Sequence, residues 1–154
     1  VDGTYVKAND AFLNMLGYTR EALNAGQLNW REITPPEYSQ LDQEVDTDLE
    51  IKGVCQPFEK EYYHKDGSRV PTLVSLVNVE QEERRDIGFV VDLSQQKQAE
   101  AALRKSEAKF RRFVEANLIG VTEANEDGTY VEANDAFLNM VGYTREDLYA
   151  GRLN

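Results

Sequence analysis

The chain has 154 residues, of which 41% are hydrophobic and 29% charged, and its formal net charge is −11. This composition is typical of a soluble globular protein, and its acidic balance argues against binding to nucleic acid, whose phosphates attract basic surfaces. The single cysteine, Cys55, and the single histidine, His64, exclude an internal disulfide and leave too few ligands for the common zinc sites.

The two ends of the chain repeat each other. Residues 2–29 and 127–154 differ at five positions, with an offset of 125 residues. The differences are Lys7/Glu132, Leu16/Val141, Ala22/Asp147, Asn24/Tyr149 and Gln27/Arg152. Such a period predicts one folded unit plus a linker, followed by the front of a second copy. We expect a piece of a longer tandem array, cut inside a domain at each end.

The first predicted elements are a short strand over residues 4–8 and two short helices. Asn9 is a good N-cap for the first helix, which Gly17 ends, and Thr19 is a good N-cap for the second. Residues 34–37 (TPPE) match a capping box, which predicts a longer helix that Gly53 ends. The apolar face of that helix is formed by Tyr38, Leu41, Val45, Leu49 and Ile51.

Three strands follow, predicted over residues 58–64, 69–79 and 87–93, with a charged loop over 80–86. The third strand is apolar enough to be central in a sheet. The order of short helices and strands predicts an α+β domain with an antiparallel sheet.

A long helix is predicted from Gln95 to about Glu115, with Asp92 or Ser94 at its N-cap. A heptad seam runs along it through Ala99, Leu103, Ser106, Phe110 and Phe113. The seam fits either a coiled-coil linker that forms a dimer or a helix lying on its own sheet. A strand that begins at Gly120 and ends at Ala124 and the repeated strand over residues 129–133 come next.

Six stretches of the chain, in this order, resemble motifs of the PAS domain, a sensory module of bacterial signalling proteins. They are GTYVKANDAF at 3–12 (repeated as GTYVEANDAF at 128–137), LGYTRE at 16–21, NWR with TPPE within 29–37, EYYHKDGS at 61–68, IGFVVDLS at 87–94 and EAKFR at 107–111. The resemblance implies a five-stranded antiparallel sheet with short helices on one face, followed by a long linker helix.

The resemblance also implies a domain division. Residues 1–93 would be a PAS domain without its first strand, residues 94–116 a helical signalling linker, and residues 117–154 the N-terminal part of a second PAS domain. The implied function is a cytoplasmic sensory, relay and dimerisation module of a multidomain protein such as a sensor histidine kinase of a two-component system. The alternative is a spacer that binds no ligand.

In the PAS fold the first strand lies between the second and the last, so the first domain lacks a central strand. Three outcomes are open: the gap remains, residues 120–124 fill it within one chain, or residues 120–124 of another chain fill it in a strand-swapped homo-oligomer. Other expected partners are the neighbouring PAS and output domains of the same protein.

No cofactor, metal or catalytic residue is predicted. Cys55 lacks the sequence context of flavin-binding relatives, and His64 lies beside a turn, where a solvated side chain and not a haem ligand is expected. Acidic residues close together in the sequence, Glu59/Glu61, Asp46/Asp48 and Glu80/Glu82/Glu83, are expected on a solvated surface and not in a catalytic or metal site. Any kinase or cyclase activity would lie in another domain. No apolar stretch is long enough to span a membrane.

Two groups of residues are candidates for function. An unidentified small molecule would occupy a pocket lined by Trp30, Leu41, Val45, Phe89 and one of Leu73 or Val74, with Val74 preferred; for Trp30, a core position is the alternative. Signal relay is assigned to Asp92, Leu93 and Ser94, because they join the last strand to the linker helix. A helix cap at Asp92 is the simpler interpretation and is compatible with relay.

Overall fold

The structure is a computed structural model that describes residues 3–80, 85–116 and 118–153. The chain forms two compact units, Val1–Gln98 and Ala99–Asn154, and the boundary between them falls inside a helix. The elements in chain order are α1 (Asp10–Leu16), α2 (Arg20–Asn24), α3 (Trp30–Ile33), α4 (Ser39–Lys52), β1 (Phe58–Tyr63), β2 (Arg69–Glu80), β3 (Arg85–Asp92), α5 (Ser94–Glu115), β4 (Thr122–Ala124), β5 (Tyr130–Ala133), α6 (Asp135–Val141) and α7 (Arg145–Tyr149).

The helix α1 begins and ends at its predicted caps, and α2 begins at its predicted cap. Asn9 Oδ1 accepts a hydrogen bond of 2.9 Å from Phe12 N, and Gly17 ends α1 with a φ of 73°, in the left-handed region that glycine tolerates. Thr19 caps α2 in the same way. Asn134 repeats the Asn9 cap at the start of α6, so the repeat conserves local structure as well as sequence.

The helix α4 starts later than predicted, and the capping box at residues 34–37 is not formed. The N-cap position before Pro36 is held by Pro35, which has no side-chain acceptor for a capping hydrogen bond. The Thr34 hydroxyl donates to the carbonyl of Trp30, the first residue of α3, at 2.7 Å. A 3₁₀ turn, Pro36–Tyr38, then leads into α4. Val45 and Leu49 are buried, but Ile51 is exposed.

The sheet of the first unit has three antiparallel strands in the order β1-β2-β3. Alternate residues of β2 point inwards, and Val70, Thr72 and Val74 are buried. The core lies between this face of the sheet and the short helices. Its buried members are Leu13, Leu16, Leu23, Leu28, Ile33, Tyr62, Val70 and Val74.

Two predictions about the sheet are wrong for the described residues. The sheet does not have five strands, because β4 and β5 form a separate two-stranded sheet. The apolar strand β3 is at the edge and not central, since β2 is the only strand that pairs with it there. Residues 81–84 of the predicted charged loop lie outside the described residues.

The predicted strand over residues 4–8 is also not formed. Thr4 makes a single bridge with Asn29. The nearly identical residues of the second copy do form a strand, Tyr130–Ala133, which pairs with β4. The sequence is therefore compatible with a strand, and the presence of a partner strand decides whether one forms.

Among the described residues, none of the helices combines the length and the apolar character that crossing a membrane requires.

Candidate functional site

A buried lysine lies between the sheet and the helices of the first unit. Lys60, in the middle of β1, has a side chain that is 5% exposed. Its Nζ is 2.8 Å from Asp42 Oδ1, on α4, and 3.3 Å from the hydroxyl oxygen of Thr34. The ion pair compensates the desolvation of both charges and joins β1 to α4.

Aromatic rings surround this ammonium group. Lys60 Nζ is 4.9 Å from the ring centroid of Tyr62, 5.7 Å from that of Trp30 and 5.9 Å from that of Phe58. The negative π-faces of such rings attract a cation at these distances. The interior therefore holds a charge that is stabilised from several sides.

Two tyrosine hydroxyls extend the polar interior. Tyr5 and Tyr62 share a side-chain hydrogen bond. Burial raises the pKa of Tyr5 to about 12 and that of Tyr62 well above its ordinary value, and the charge of Asp42 acts in the same direction on both. Both phenols are therefore neutral at physiological pH.

Two recesses border the residues of the ion pair. One of about 300 Å³ is bordered by residues that include Trp30, Thr34, Asp42 and Asp46. The other, of about 190 Å³, is bordered by residues that include Lys60. A small polar molecule bound in either recess would lie beside one member of the pair.

The residues of the predicted pocket do not line one cavity. Trp30 borders the larger recess, Val74 is in the main core, and Val45 belongs to a second buried cluster on which Leu41 packs. The prediction is wrong for Phe89, which is 63% exposed. Val74 pairs with Val90, so neighbouring Phe89 points to the opposite face of the sheet.

The residues considered for cofactors have structural contacts. Cys55 is buried, and its sulfur accepts a hydrogen bond from the backbone N–H of Leu76 at 3.1 Å. His64 Nδ1 lies 2.9 Å from Asp66 Oδ1, and its ring covers Gly17, where a Cβ atom would collide with it. The expectation of a solvated His64 is wrong in part, since the ring is half-buried.

The three residues assigned to relay anchor the start of α5. Asp92 Oδ1 accepts a hydrogen bond of 2.7 Å from Ser94 N. The side chain of Leu93 is buried, and its backbone N–H donates to the carbonyl of Pro71 on β2 at 2.9 Å. One turn later, Lys97 Nζ is 2.7 Å from Glu59 Oε2 on β1. The start of α5 is therefore held by contacts with two strands, β1 and β2.

Sequence reasoning missed Lys60, Asp42 and the tyrosine pair. A signal for Lys60 was present, because it alternates with Phe58 and Tyr62 along the strand and therefore shares their face. A lysine on an inward face requires a buried counter-charge, and the acidic residues of α4 are the candidates next to it.

Comparisons with known proteins identify the family. A family model described as the PAS domain matches residues 1–95, and a second PAS domain model matches residues 108–153. The chain belongs to the PAS domain family. The hybrid signal transduction protein dokA of Dictyostelium discoideum is 41% identical over 100 residues. That match covers 65% of this chain and 6% of dokA, so the chain spans only a small part of that relative's length. The similarity supports a PAS signalling module.

Replacing Lys60 tests whether the PAS domain core depends on the ion pair. Lys60→Met leaves the Asp42 carboxylate buried without its cation, and we expect a loss of about 3–5 kcal/mol in the free energy of unfolding. Asp42→Leu added to Lys60→Met should recover most of that loss. Urea unfolding measures both.

The matched control is Lys52→Met, which removes an ion pair to Asp48 in which the lysine is 60% exposed. It should cost less than about 1 kcal/mol. Equal losses from Lys60→Met and Lys52→Met would contradict the importance of the buried pair.

The tyrosine pair predicts alkaline sensitivity of the PAS domain. Because the pKa of Tyr5 is about 12 when folded and 10.0 ordinarily, the folded state prefers the neutral phenol. This stabilisation is complete below pH 10 and is lost as the pH rises towards 12. Tyr5→Phe should flatten the fall in the unfolding free energy across that range, and Tyr149→Phe, at an exposed position, should not. Parallel pH profiles of the wild type and Tyr5→Phe would contradict the assignment.

Proposed function

We propose that this PAS region is a relay and dimerisation module, in which a change at the sheet of the first unit moves α5 and thereby an output domain of the same protein. We keep residues 1–93, 94–116 and 117–154 as the proposed PAS domain, linker and partial second PAS domain. The contacts that hold the start of α5 against β1 and β2, Lys97 with Glu59 and Leu93 with Pro71, support the proposal.

The ion pair between Glu59 and Lys97 supports a direct transmission of movement from the domain interior to α5. Lys60 points inwards to Asp42, and the preceding residue, Glu59, points outwards to Lys97 of α5. A shift of β1 that accommodates a change at the ion pair therefore also displaces the Lys97 contact. Two discrete positions of this strand would be sufficient for a population shift.

The exposure of α5 supports its role as an output element. No described side chain of the helix is buried, and the seam residues Leu103, Phe110 and Phe113 are exposed. An apolar stripe at heptad spacing is typical of helices that pair with another helix. We propose that two copies pair along this seam, and that signals change the register or tilt of the pair.

The recess beside Trp30 and Asp42 is the proposed site of an input molecule. Its border combines an aromatic ring, two hydroxyls, two carboxylates and an arginine, which fits a small polar molecule. We propose no haem, flavin or metal. Absorbance and mass spectrometry of the purified folded protein would reveal a bound molecule.

A structural spacer is the second candidate. The buried Lys60 side chain and its aromatic neighbours already occupy the interior next to α4, which favours a domain that transmits movement without a ligand. Protein that purifies without a small molecule but still transmits signals from a preceding domain would favour the spacer.

Substitution of Asp92 tests the relay. In a longer protein that contains this region and its output domain, Asp92→Ala removes the acceptor of the Ser94 N–H bond, so the output should no longer respond to the input. The control is Asp66→Ala, which removes a bond of the same geometry to Ser68 N, 2.8 Å long, at a turn. Output that responds normally in Asp92→Ala, or is lost equally in Asp66→Ala, would refute the relay role.

Replacing Ser106, the polar residue of the seam, tests dimerisation through α5. Ser106→Leu completes the apolar heptad pattern and should tighten the dimer about tenfold or more, as measured by sedimentation equilibrium. Lys105→Leu, one residue off the seam, serves as the control. A dimer constant that Ser106→Leu leaves unchanged would exclude pairing along this face.

A further inference from the structure

The recess beside Trp30 and Asp42 is bordered by charges of both signs. We propose that the molecule it binds is a small zwitterion, with a primary ammonium group at one end and a carboxylate at the other. The inference rests on the proposed function of this recess and adds the chemical class of its ligand. It depends on which hydrogen-bonding groups of the border are already used within the protein.

One part of the border offers mainly hydrogen-bond acceptors. The hydroxyl of Thr34 donates its hydrogen to the carbonyl of Trp30 at 2.7 Å, and that of Ser39 donates to the carbonyl of Pro36 at 2.5 Å. A hydroxyl whose hydrogen is used in this way presents lone pairs to a ligand. Pro35 and Pro36 also border the recess and have no backbone N–H to donate. This part of the border therefore favours a ligand group with several donors.

Two carboxylates on α4 indicate that this donor group is positively charged. Ser39, Asp42 and Asp46 border the recess, and their spacing of three and four residues places them on one face of the helix. Asp42 binds Lys60 through Oδ1. A carboxylate has about four lone-pair sites, so Asp42 can accept a second ammonium group besides Lys60. A primary ammonium group, with its three N–H donors, matches this row of acceptors.

Arg31 supplies a positive charge from α3. It borders the same recess, and its guanidinium lies over the ring of Trp30, 5.1 Å from the ring centroid. Among the residues that the structure describes, no carboxylate forms an ion pair with Arg31. Guanidinium groups bind carboxylates through two parallel hydrogen bonds. Arg31 is therefore the expected partner of a carboxylate on the ligand.

The charges and the size of the recess fit such a ligand. Arg31 and Lys60 balance Asp42 and Asp46, so the four groups together carry no net charge. A zwitterion preserves this balance, whereas a simple amine or a simple acid adds one uncompensated charge next to a buried ion pair. The volume of about 300 Å³ is at the lower end of the range for small-molecule sites, which favours a ligand of few atoms.

Binding of an ammonium group at Asp42 would act on the proposed relay. The ligand would share with Lys60 the carboxylate that joins α4 to β1. Two cations beside one carboxylate repel each other, so the contact between Lys60 and Asp42 would weaken. Glu59, the neighbour of Lys60 in β1, holds Lys97 of α5 at 2.7 Å. A shift of β1 on binding would therefore reach α5.

Fluorescence of the whole chain measures this binding, because Trp30 is its single tryptophan and borders the recess. The probes are γ-aminobutyrate, butylammonium and butyrate, which have equally long carbon chains and are compared at constant ionic strength. We expect γ-aminobutyrate to bind about tenfold more tightly than either singly charged probe, because only the zwitterion makes both ion pairs. Glycine and ε-aminocaproate, a shorter and a longer zwitterion, measure the preferred separation of the two charges.

Substitutions separate the contributions of the two ends of the ligand. Arg31→Gln should weaken γ-aminobutyrate binding about tenfold and leave butylammonium binding unchanged, and Arg31→Lys should recover part of the loss. Asp46→Asn should weaken the binding of both probes equally, because both present the same ammonium group. The matched control is Asp48→Asn, on α4 but outside the border of the recess, which should change neither.

Three outcomes would overturn the zwitterion. The first is butyrate or butylammonium binding as tightly as γ-aminobutyrate, which would leave the recess as the proposed site of a different ligand. The second is binding that neither Arg31→Gln nor Asp46→Asn weakens. The third is Trp30 fluorescence that responds to none of the three zwitterions. The output of Asp92→Ala tests the relay separately, so failure of the relay and failure of the ligand class are distinguishable.

Discussion

A β-strand persists only when another strand satisfies its backbone hydrogen bonds, and this constraint governs the whole chain. Residues 4–8 (TYVKA) and 129–133 (TYVEA) differ at one position, yet only the second copy contains a strand. The local preferences of the two segments are nearly the same, so the difference lies in β4, which is available beside one and not the other. The same constraint leaves the apolar strand β3 at an edge.

The buried ion pair and the contact of α5 lie on neighbouring residues of one strand. Lys60 and Asp42 tie the strand β1 to the helix α4, while Glu59, next to Lys60, ties the same strand to α5. Among the described strands, β1 pairs with β2 alone, so one side of it is not held by a neighbouring strand. The proposed relay uses this short piece of backbone to couple movement at the interior with movement at the helix.

The parts of the fold that could be predicted from the sequence are those set by near neighbours in the chain. The caps at Asn9 and Thr19 were predictable, because a cap depends on residues three positions away. The capping box at 34–37 failed because the N-cap position falls on Pro35, which has no side-chain acceptor, and not on Thr34.

The candidate site was only partly predictable, because it depends on register. Val90, the residue after Phe89, pairs with Val74, and this pairing decides that Phe89 lies on the outer face of the sheet. The sequence of either strand alone does not contain that information. Asp92, Leu93 and Ser94 were found correctly as the junction because the last strand and the helix adjoin in the chain. Lys60 could have been found from its alternation with Phe58 and Tyr62, but its partner on α4 required the fold.

The two copies of the repeat present almost the same residues to a partner strand. Only the positions at which they differ can make one copy a better partner than the other. Of the five differences between residues 2–29 and 127–154, Lys7/Glu132 is the one that lies within the pairing segment, opposite Glu123 in the register of the second copy. Glu132 therefore places a like charge opposite Glu123 in the second copy, and Lys7 carries the opposite charge at the equivalent position of the first copy.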